Sequence, residues 1–351
     1  MLTVELFRAR VSARTSWDVV RVRDADGAFG LGEWSDAGPG AEALWPSVTE
    51  RLAEGGSGGD ALALLDQLAS GERRFAARTV RGGLEQALTD LAARRAGVPL
   101  WRWLGGRAAR PVRRYANLNR ALRRRTPEEF AEVAAAAVAA GYTALKCAPF
   151  DGLPDGERLG GGLARARAVR AAAPDAELMV DAHALLSIDQ VLRTAAQLRA
   201  LDLRWLEDAA PLDGLTAVRE AGIAPLAGGE FATAPAEVRP ALGAGLGWLL
   251  PDVKHAGGLA AARALAEEAL AAGAGVSLHS PSGPVATAAG LHLAVALGPS
   301  VESEFAFGEA SWRRHAVHPA ETPDSPWLTL PEGPGLGLDL APGHWHPHTP
   351  T

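Results

Sequence analysis

At 351 residues the chain is too long for one small domain and suits a barrel with a modest second domain. A net charge of −6 offers no polycation for nucleic acid or an anionic membrane, and no stretch approaches the ~18 consecutive apolar residues that span a bilayer. The single cysteine, Cys147, excludes an intrachain disulfide and suits a reducing compartment; with no apolar leader-like run at the N-terminus, a cytoplasmic protein is expected.

Residues 1 to about 33 alternate apolar and polar in short runs. Thr3-Val-Glu-Leu-Phe-Arg8 and Trp17-Asp-Val-Val-Arg-Val-Arg23 read as strands, and Asp24-Ala-Asp-Gly27 turns the chain into Ala28-Phe-Gly-Leu-Gly-Glu33. Residues 41–55, 59–71 and 78–96 read as helices. A meander followed by helices predicts an α+β lobe over residues 1–108, closed by the glycine-bounded linker Gly97-Val-Pro-Leu-Trp-Arg-Trp-Leu-Gly-Gly106.

From Val112 short apolar strands alternate with helices, and this region, 109–319, reads as one domain. Val112–Asn117 is its first strand, and Thr126-Pro127 gives an N-cap followed by proline for a helix running to Ala140. Tyr142–Ala148 is the second strand, with a helix expected over about 160–173. Ala176–His183, Leu203–Asp208, Ala224–Glu230, Trp248–Asp252 and Gly275–His279 follow as strands, with a last one near 301–305. Eight buried strands separated by helices predict an α/β fold: a modified TIM barrel, (β/α)7β, with an N-terminal α+β capping domain. The tail, 320–351, is rich in proline and glycine; it is expected to be mostly irregular and to return to the capping domain and complete it.

In a closed parallel barrel the C-terminal strand ends converge at one mouth. The third to seventh strands end on Asp181 with His183, then Glu207, Glu230, Asp252 and His279. Three carboxylates on adjacent strands suit Mg²⁺, which takes oxygen ligands and keeps positions for water and substrate. The alternative is a set of salt-bridging mouth residues, and a one-residue slip would exchange Glu207 for Asp208. The α-proton of a carboxylate substrate is weakly acidic. Its removal calls for a metal on the carboxylate oxygens and a base with a pKa near neutrality. Asp252 and His279 stand on neighbouring strands, as a carboxylate–imidazole dyad requires, with His279 as the base. His183 lies two residues beyond Asp181 and so shares its strand face.

Other polar residues carry weaker signals. Asn117 and Asn119, at the end of the first barrel strand, meet either substrate hydroxyls or loop backbone. Glu302 and Glu304 share one face of the last strand, and spacing from Pro299 favours Glu304. In the capping segment Glu33–Gly40, Trp34 and Asp36 are candidates to meet an apolar face and a hydroxyl of a substrate. His255 is a candidate substrate contact, Lys254 a salt-bridging residue of the surface or barrel wall, and Cys147 a packed thiol. His344, His346 and His348 alternate in a tail read as solvated.

Taken together, these motifs resemble the enolase superfamily, specifically its mandelate racemase/muconate lactonizing enzyme-like branch, and within that the acid-sugar (galactonate-type) dehydratases. The resemblance rests on Asp181, Glu207 and Glu230 at successive strand ends, on Pro251-Asp-Val-Lys-His-Ala-Gly-Gly258, and on Leu278-His-Ser-Pro-Ser-Gly-Pro-Val-Ala-Thr-Ala-Ala289. It implies Mg²⁺ on those three carboxylates and an enediolate formed when His279 takes the α-proton. It further implies that His183 is the acid that helps a β-hydroxyl leave, and that a last-strand glutamate, Glu304 or Glu302, hydrogen-bonds the substrate. Racemases of this kind use a Lys-x-Lys pair at the end of the second strand, where this chain reads Lys146-Cys147-Ala148. The missing lysine argues against two-base racemisation and leaves Lys146 as an electrostatic or carboxylate contact. The expected reaction is therefore a lyase's: dehydration of a sugar acid, a small carboxylate, to a 2-keto-3-deoxy acid. A racemase, epimerase or cycloisomerase sharing the enediolate step, or a non-catalytic metal-binding barrel, are the alternatives. The short loop Val11–Ser16 predicts an open pocket or one completed by a neighbouring subunit, and a homo-oligomer is expected.

Overall fold

The structure is a computed structural model that describes residues 1–349 apart from residues 14 and 322–324; the loop 11–16 and the tail are otherwise covered. The alternating N-terminal runs form β1 (Thr3–Arg10), β2 (Ser16–Arg23) and β3 (Phe29–Glu33), an antiparallel meander in which Thr3 pairs with Arg23 and Val19 with Glu33. Helices α1 (Trp45–Ala53), α2 (Gly58–Leu68) and α3 (Arg74–Arg95) cover one face of this sheet, and α4 (Leu100–Trp103) sits in the linker. Ser57 caps α2 by accepting from Asp60 N while Asp60 accepts from Ser57 N, a capping box that fixes where the helix begins.

The barrel follows as β4 (Val112–Asn117), α5 (Pro127–Ala139), β5 (Ala144–Cys147), α6 (Asp155–Ala172), β6 (Glu177–Asp181), α7 (Ile188–Arg193), α8 (Ala195–Arg199) and β7 (Leu203–Glu207). It continues as α9 (Leu212–Glu220), β8 (Leu226–Gly228), α10 (Pro235–Gly243), β9 (Trp248–Leu249), α11 (Leu259–Ala271), β10 (Gly275–Leu278), α12 (Pro284–Leu297) and β11 (Glu302–Ala306). Each strand pairs in parallel with the next, and β11 pairs with β4 through Ser303–Arg114 and Ala306–Asn117, so the sheet closes. With α7 and α8 as one broken crossover, this is a (β/α)7β barrel under an N-terminal cap.

Two differences from the sequence reading have physical causes. Helix α6 begins at Asp155, before the expected 160, and runs through Gly160, Gly161 and Gly162. A Cβ on Gly162 would lie 2.1 Å from Phe150 Cδ1, so this glycine serves close packing inside the helix rather than a turn. The tail is more ordered than expected. Its strand β12 (Val317–His318) pairs with β14 (Asp339–Leu340), β13 (Trp327–Leu328) adds antiparallel to β4, and β15 (His346–Pro347) adds to β1 as a fourth strand of the capping sheet.

The two layers meet along α3. A Cβ on Gly32 of β3 would lie 1.9 Å from Gly83 O, and one on Gly82 would lie 2.1 Å from Lys254 O, so α3 touches backbone on both sides. The same helix hydrogen-bonds the barrel loop after β9: Gln86 Nε2 donates to Glu33 O and to Val253 O, each at 3.3 Å. Glu85 accepts from Leu259 N at 2.8 Å and Ala260 N at 3.2 Å, capping barrel helix α11 from outside its own domain.

His292 ties the tail to this assembly. Its Nδ1 accepts from Trp101 N at 3.0 Å, so the proton sits on Nε2, which donates to Leu336 O at 3.2 Å. Burial holds this imidazole down at about 4, well below its ordinary 6.5. A folded-state pKa below the unfolded one means that the unfolded chain alone takes up this proton between those values. The contribution is complete above pH 6.5 and is lost as pH falls toward 4, amounting to roughly 3 kcal/mol at most. His292→Asn should therefore flatten the fall in urea midpoint between pH 7 and pH 4.5, while being less stable than the parent at pH 7. In the same assay Gly82→Ala, which in a free helix would stabilise by about 1 kcal/mol, should instead cost on the order of 1–3 kcal/mol by overpacking Lys254.

Candidate active site

Inside the barrel the side chains of alternate strand positions form layers, and Tyr115, Met179, Trp205, Ala227 and Leu250 fill the one beneath the mouth. Two residues further along β5, β6 and β7 the side chains are charged: Lys146, Asp181 and Glu207. Asp181, Glu207 and Glu230 are all buried, and they offer carboxylate oxygens within 4.8 Å of one another. Lys146, from β5, stands among them with Nζ 2.9 Å from Glu304 Oε1, 3.1 Å from Glu207 Oε2 and 3.6 Å from Asp181 Oδ2. Burial pushes the Lys146 pKa down, but Glu207 and Glu304 outweigh it and hold the ammonium well above its usual range.

One buried ammonium does not neutralise four carboxylates. Burial and the neighbouring Asp181 push Glu207 well above the usual carboxylate range. Glu230 Oε2 is buried without an aligned hydrogen-bond donor. A site of oxygen donors with excess negative charge and an orphaned oxygen fits a hard divalent cation, and Asp181, Glu207 and Glu230 could hold one.

Two histidines flank the trio. His279 donates from Nδ1 to Asp252 Oδ2 at 2.9 Å, and its Nε2 lies 3.0 Å from Glu230 Oε2, near in distance but out of hydrogen-bond alignment. Asp252 is fixed in turn by Lys254 N at 2.6 Å and His255 N at 3.2 Å, both donating to Oδ1. Despite burial, Glu230 and Glu304 raise the His279 pKa well above its usual value. His183 stands on the opposite side, its Nε2 3.0 Å from Asp181 Oδ2 and its Nδ1 2.8 Å from Asp151 Oδ1. Burial opposes protonation there, but the two carboxylates win and lift this imidazole to about 11. Strand β6 ends at Asp181 and His183 has φ of 45°, so strand alternation does not carry to it; a turn with backbone strain brings it to the same place.

The remaining expected residues sort by position. Asn117 donates from Nδ2 to Glu304 Oε1 at 2.6 Å and accepts from Asn119 N, while Asn119 accepts from Ala148 N; both line the pocket and both also satisfy loop backbone or a neighbouring carboxylate. Glu304 also accepts from Ser280 N at 2.8 Å. Two corrections are needed. Glu302 does not reach the mouth. Two residues along a strand is about 6.6 Å, which leaves it at the barrel floor, where Arg204 Nη1 is 2.9 Å away and Arg113 Nη1 3.6 Å. Trp34 does not face substrate either; it is 2 % exposed and packs edge-on against Trp45 in the capping core, with ring centroids 5.5 Å apart. Its neighbour Asp36, with φ of 61°, lines the pocket instead.

Lys254 is fully buried in the loop after β9, 3.8 Å from Asp252 Oδ2, and not on the surface. His255 lines the pocket, with Nδ1 3.0 Å from Thr79 Oγ1, and burial lowers its pKa to about 4. Cys147 is buried, its thiol pushed up to about 12. Asp208 faces away from the trio, among the apolar side chains between α9 and α10, where burial lifts it to about 7.

The pocket encloses about 430 Å³, within the usual range for small-molecule sites. Its outer walls include residues that sequence reading did not single out: Arg120, Arg125, Asp151, Phe75 and Phe231. The first three lie in loops after β4 and β5, the place where barrel chemistry concentrates, and that positional rule was the available signal. Phe75 of α3 meets Phe231 edge-on at 5.6 Å, and nothing in their sequence neighbourhoods links them.

Comparison with known proteins agrees with this geometry. The family described as "Enolase C-terminal domain-like" matches residues 129–344, and "Mandelate racemase / muconate lactonizing enzyme, N-terminal domain" matches residues 8–105. The chain belongs to this mandelate racemase/muconate lactonizing enzyme family of the enolase superfamily. It is 28% identical over 361 residues to a D-xylonate dehydratase of Haloferax volcanii, covering 94% of this chain and 84% of that one. It is 29% identical over 276 residues to a D-gluconate dehydratase of Thermoproteus tenax, covering 76% of this chain but only 55% of that relative. Among solved structures, a mandelate racemase/muconate lactonizing enzyme from Jannaschia sp. CCS1 superimposes with a TM-score of 0.81 at 27% identity, covering 96% and 94% of the two chains. A putative dehydratase from Mesorhizobium loti gives a TM-score of 0.83 over 97% and 96%, at 24% identity, a likeness of fold.

If the carboxylate trio holds a divalent cation, adding one should stabilise the fold by mass action, by about 2.7 kcal/mol at a hundred times the dissociation constant. Glu207→Gln should weaken calorimetric binding of Mg²⁺ by at least tenfold (about 1.4 kcal/mol) and shrink the rise in melting temperature. An unchanged rise would remove Glu207 from the ligand set.

Proposed function

We propose that this family member is a lyase that dehydrates a sugar acid to a 2-keto-3-deoxy acid, with Mg²⁺ held by Asp181, Glu207 and Glu230. The observation that carries this reading is the pair of histidines on opposite flanks of the carboxylate trio, each tied to its own second carboxylate: His279 to Asp252 and His183 to Asp151. β-Elimination needs a base at C2 and an acid at the C3 oxygen, and one imidazole stands on either side. The dehydratase names of the relatives support the same reading.

When bound, Mg²⁺ supplies electrostatic stabilisation to the substrate carboxylate as negative charge grows on it. Lys146, buried and charged, adds a second positive centre on that side, and its three carboxylate contacts leave it unsuited to act as a second base. Glu230 is the first of the carboxylates that raise His279, and a cation on Glu230 would take up that charge and leave Nε2 free as a base; with Asp252 accepting from Nδ1, Nε2, the nitrogen turned toward Glu230 and the pocket, would then receive the proton from C2. His183, held as imidazolium by Asp151 and Asp181, gives a proton to the leaving hydroxyl at C3. The C2–H and C3–O bonds break, water departs, and the enol that remains takes up a proton at C3 to become the keto acid. His183 is 39 % exposed at its side chain, so it is reprotonated from solvent.

The two roles separate experimentally. With a sugar acid that is turned over, His279→Asn should lose both keto-acid formation, read with semicarbazide, and exchange of the C2 proton in D₂O, by at least about 10²–10⁴-fold. His183→Asn should lose keto acid but keep C2 exchange. Exchange into recovered substrate with no keto acid from the parent protein would instead make it a racemase or epimerase.

A further inference from the structure

Two arginines, Arg120 and Arg125, line the pocket, and each already has a carboxylate: Arg125 shares Asp151 with His183 and so stands near the reacting end, whereas Arg120 pairs with Asp36 of the capping domain at the far end. Arg120 Nη2 donates to Asp36 Oδ2 at 2.7 Å, its Nη1 donates to Thr15 Oγ1 at 3.3 Å, and its Nε lies 3.9 Å from Glu309. Arg125 Nη2 donates to Ala148 O at 2.6 Å and lies 3.5 Å from Asp151 Oδ2. Asp36 comes from the capping domain and Arg120 from the barrel, so their pair bridges the two across the opening. Asp36 and Arg125 also hold φ of 61° and 54°, strained values for residues with a side chain, and both line the pocket.

Two paired ions present a hydroxyl with what it needs: a carboxylate to accept its proton and a guanidinium to donate to its oxygen. A second substrate carboxylate meets a different wall. To reach Arg120 it must lie beside Asp36, with Glu309 behind, crowding three anions about one guanidinium at a half-buried position. Like charges at such separations are strongly unfavourable where water is partly excluded.

Resting on the dehydration reading for the reacting end, we propose that the Asp36–Arg120 pair sets the specificity of the far end: it selects sugar acids with one carboxylate and an uncharged, hydroxylated terminus, and rejects their α,ω-diacid counterparts. Asp36 is the discriminating residue, because removing its charge frees Arg120 to take an anion.

The test compares matched acids of identical configuration that differ only in whether the terminal carbon is CH₂OH or COO⁻. Binding to the Mg²⁺-loaded protein is read by calorimetry, and turnover by semicarbazide. The parent should bind the monoacid of its best pair at least tenfold more tightly than the diacid. Asp36→Asn should shrink that ratio by at least tenfold, mainly by tightening the diacid, and Asp36→Glu should restore it. A parent that prefers the diacid, a ratio unmoved in Asp36→Asn, or no monoacid bound at all would overturn the proposal. Preferential monoacid binding with neither keto acid nor C2 exchange would uphold this pair and overturn the dehydration reading alone.

Discussion

The structure is organised around an excess of buried negative charge at the barrel mouth. Asp181, Glu207, Glu230 and Glu304 converge there with a single ammonium, Lys146, between them. Isolated, such groups would pick up protons rather than stay charged. Much of the surrounding polar architecture answers that problem: Asn117 Nδ2 and Ser280 N donate to Glu304, the Trp205 indole reaches Glu207 at 3.4 Å, and His183 donates to Asp181, which stays at about 2 against the pull of burial. What those donors leave uncompensated is the charge that a divalent cation would complement.

The dyad side of the site depends on the capping domain as much as on the barrel. Strand β9 is only two residues long, Trp248–Leu249, and the loop that follows it carries Asp252. That loop is held from outside: Gln86 grips Val253 O, Thr79 meets His255, Gly82 allows α3 to lie against Lys254 O, and Glu85 caps the helix that ends the loop. The helix that closes over the mouth therefore also fixes the carboxylate that orients His279. Glu33 works the same way on the next loop, accepting from Gly283 N and Ala286 N at the start of α12. Cap and barrel are packed together at the dyad and joined again at the pocket's outer wall by the contacts of Arg120 with Asp36 and Thr15.

Sequence legibility follows from this division. The barrel strands and the residues that end them were readable because strand ends in a parallel barrel converge by topology alone, whatever the side chains between. Asp181, Glu207, Glu230, Asp252 and His279 needed no knowledge of packing. Glu302 and Trp34 did. Strand parity put Glu302 and Glu304 on one face but not at one height, and only the ring of Arg113 and Arg204 shows that Glu302 belongs to the floor. For Trp34, residue type suggested an aromatic contact, yet the large apolar area of the side chain is satisfied by Trp45 in the capping core. Arg120 and Arg125 were missed because loop arginines are common and their use depends on which carboxylates reach them, a tertiary fact. The first turn of helix α6, residues 155–159, was missed because the proline, glycine and aspartate around it have weak helix propensity, and Pro154 instead stands as the N-cap.

The histidines show how far surroundings override residue type. His255 and His292 are buried and lowered to about 4, so they act as neutral hydrogen-bonding groups. His183 is raised to about 11 and His279 is raised well above its usual value, because each faces two carboxylates at 3.0 Å or closer. His255 and His279 have ring centroids only 6.3 Å apart and both approach Asp252 Oδ2, at 3.7 and 2.9 Å, yet they fall on opposite sides of neutrality. What separates them is the balance of surroundings: Glu230 and Glu304 outweigh burial at His279, whereas burial, with Lys254 and His279 adding to it, outweighs Asp252 at His255. A carboxylate lies near both nitrogens of His183 and of His279, but near only one nitrogen of His255. That geometry separates His183 and His279 from His255 among the imidazoles lining the pocket without reference to any relative.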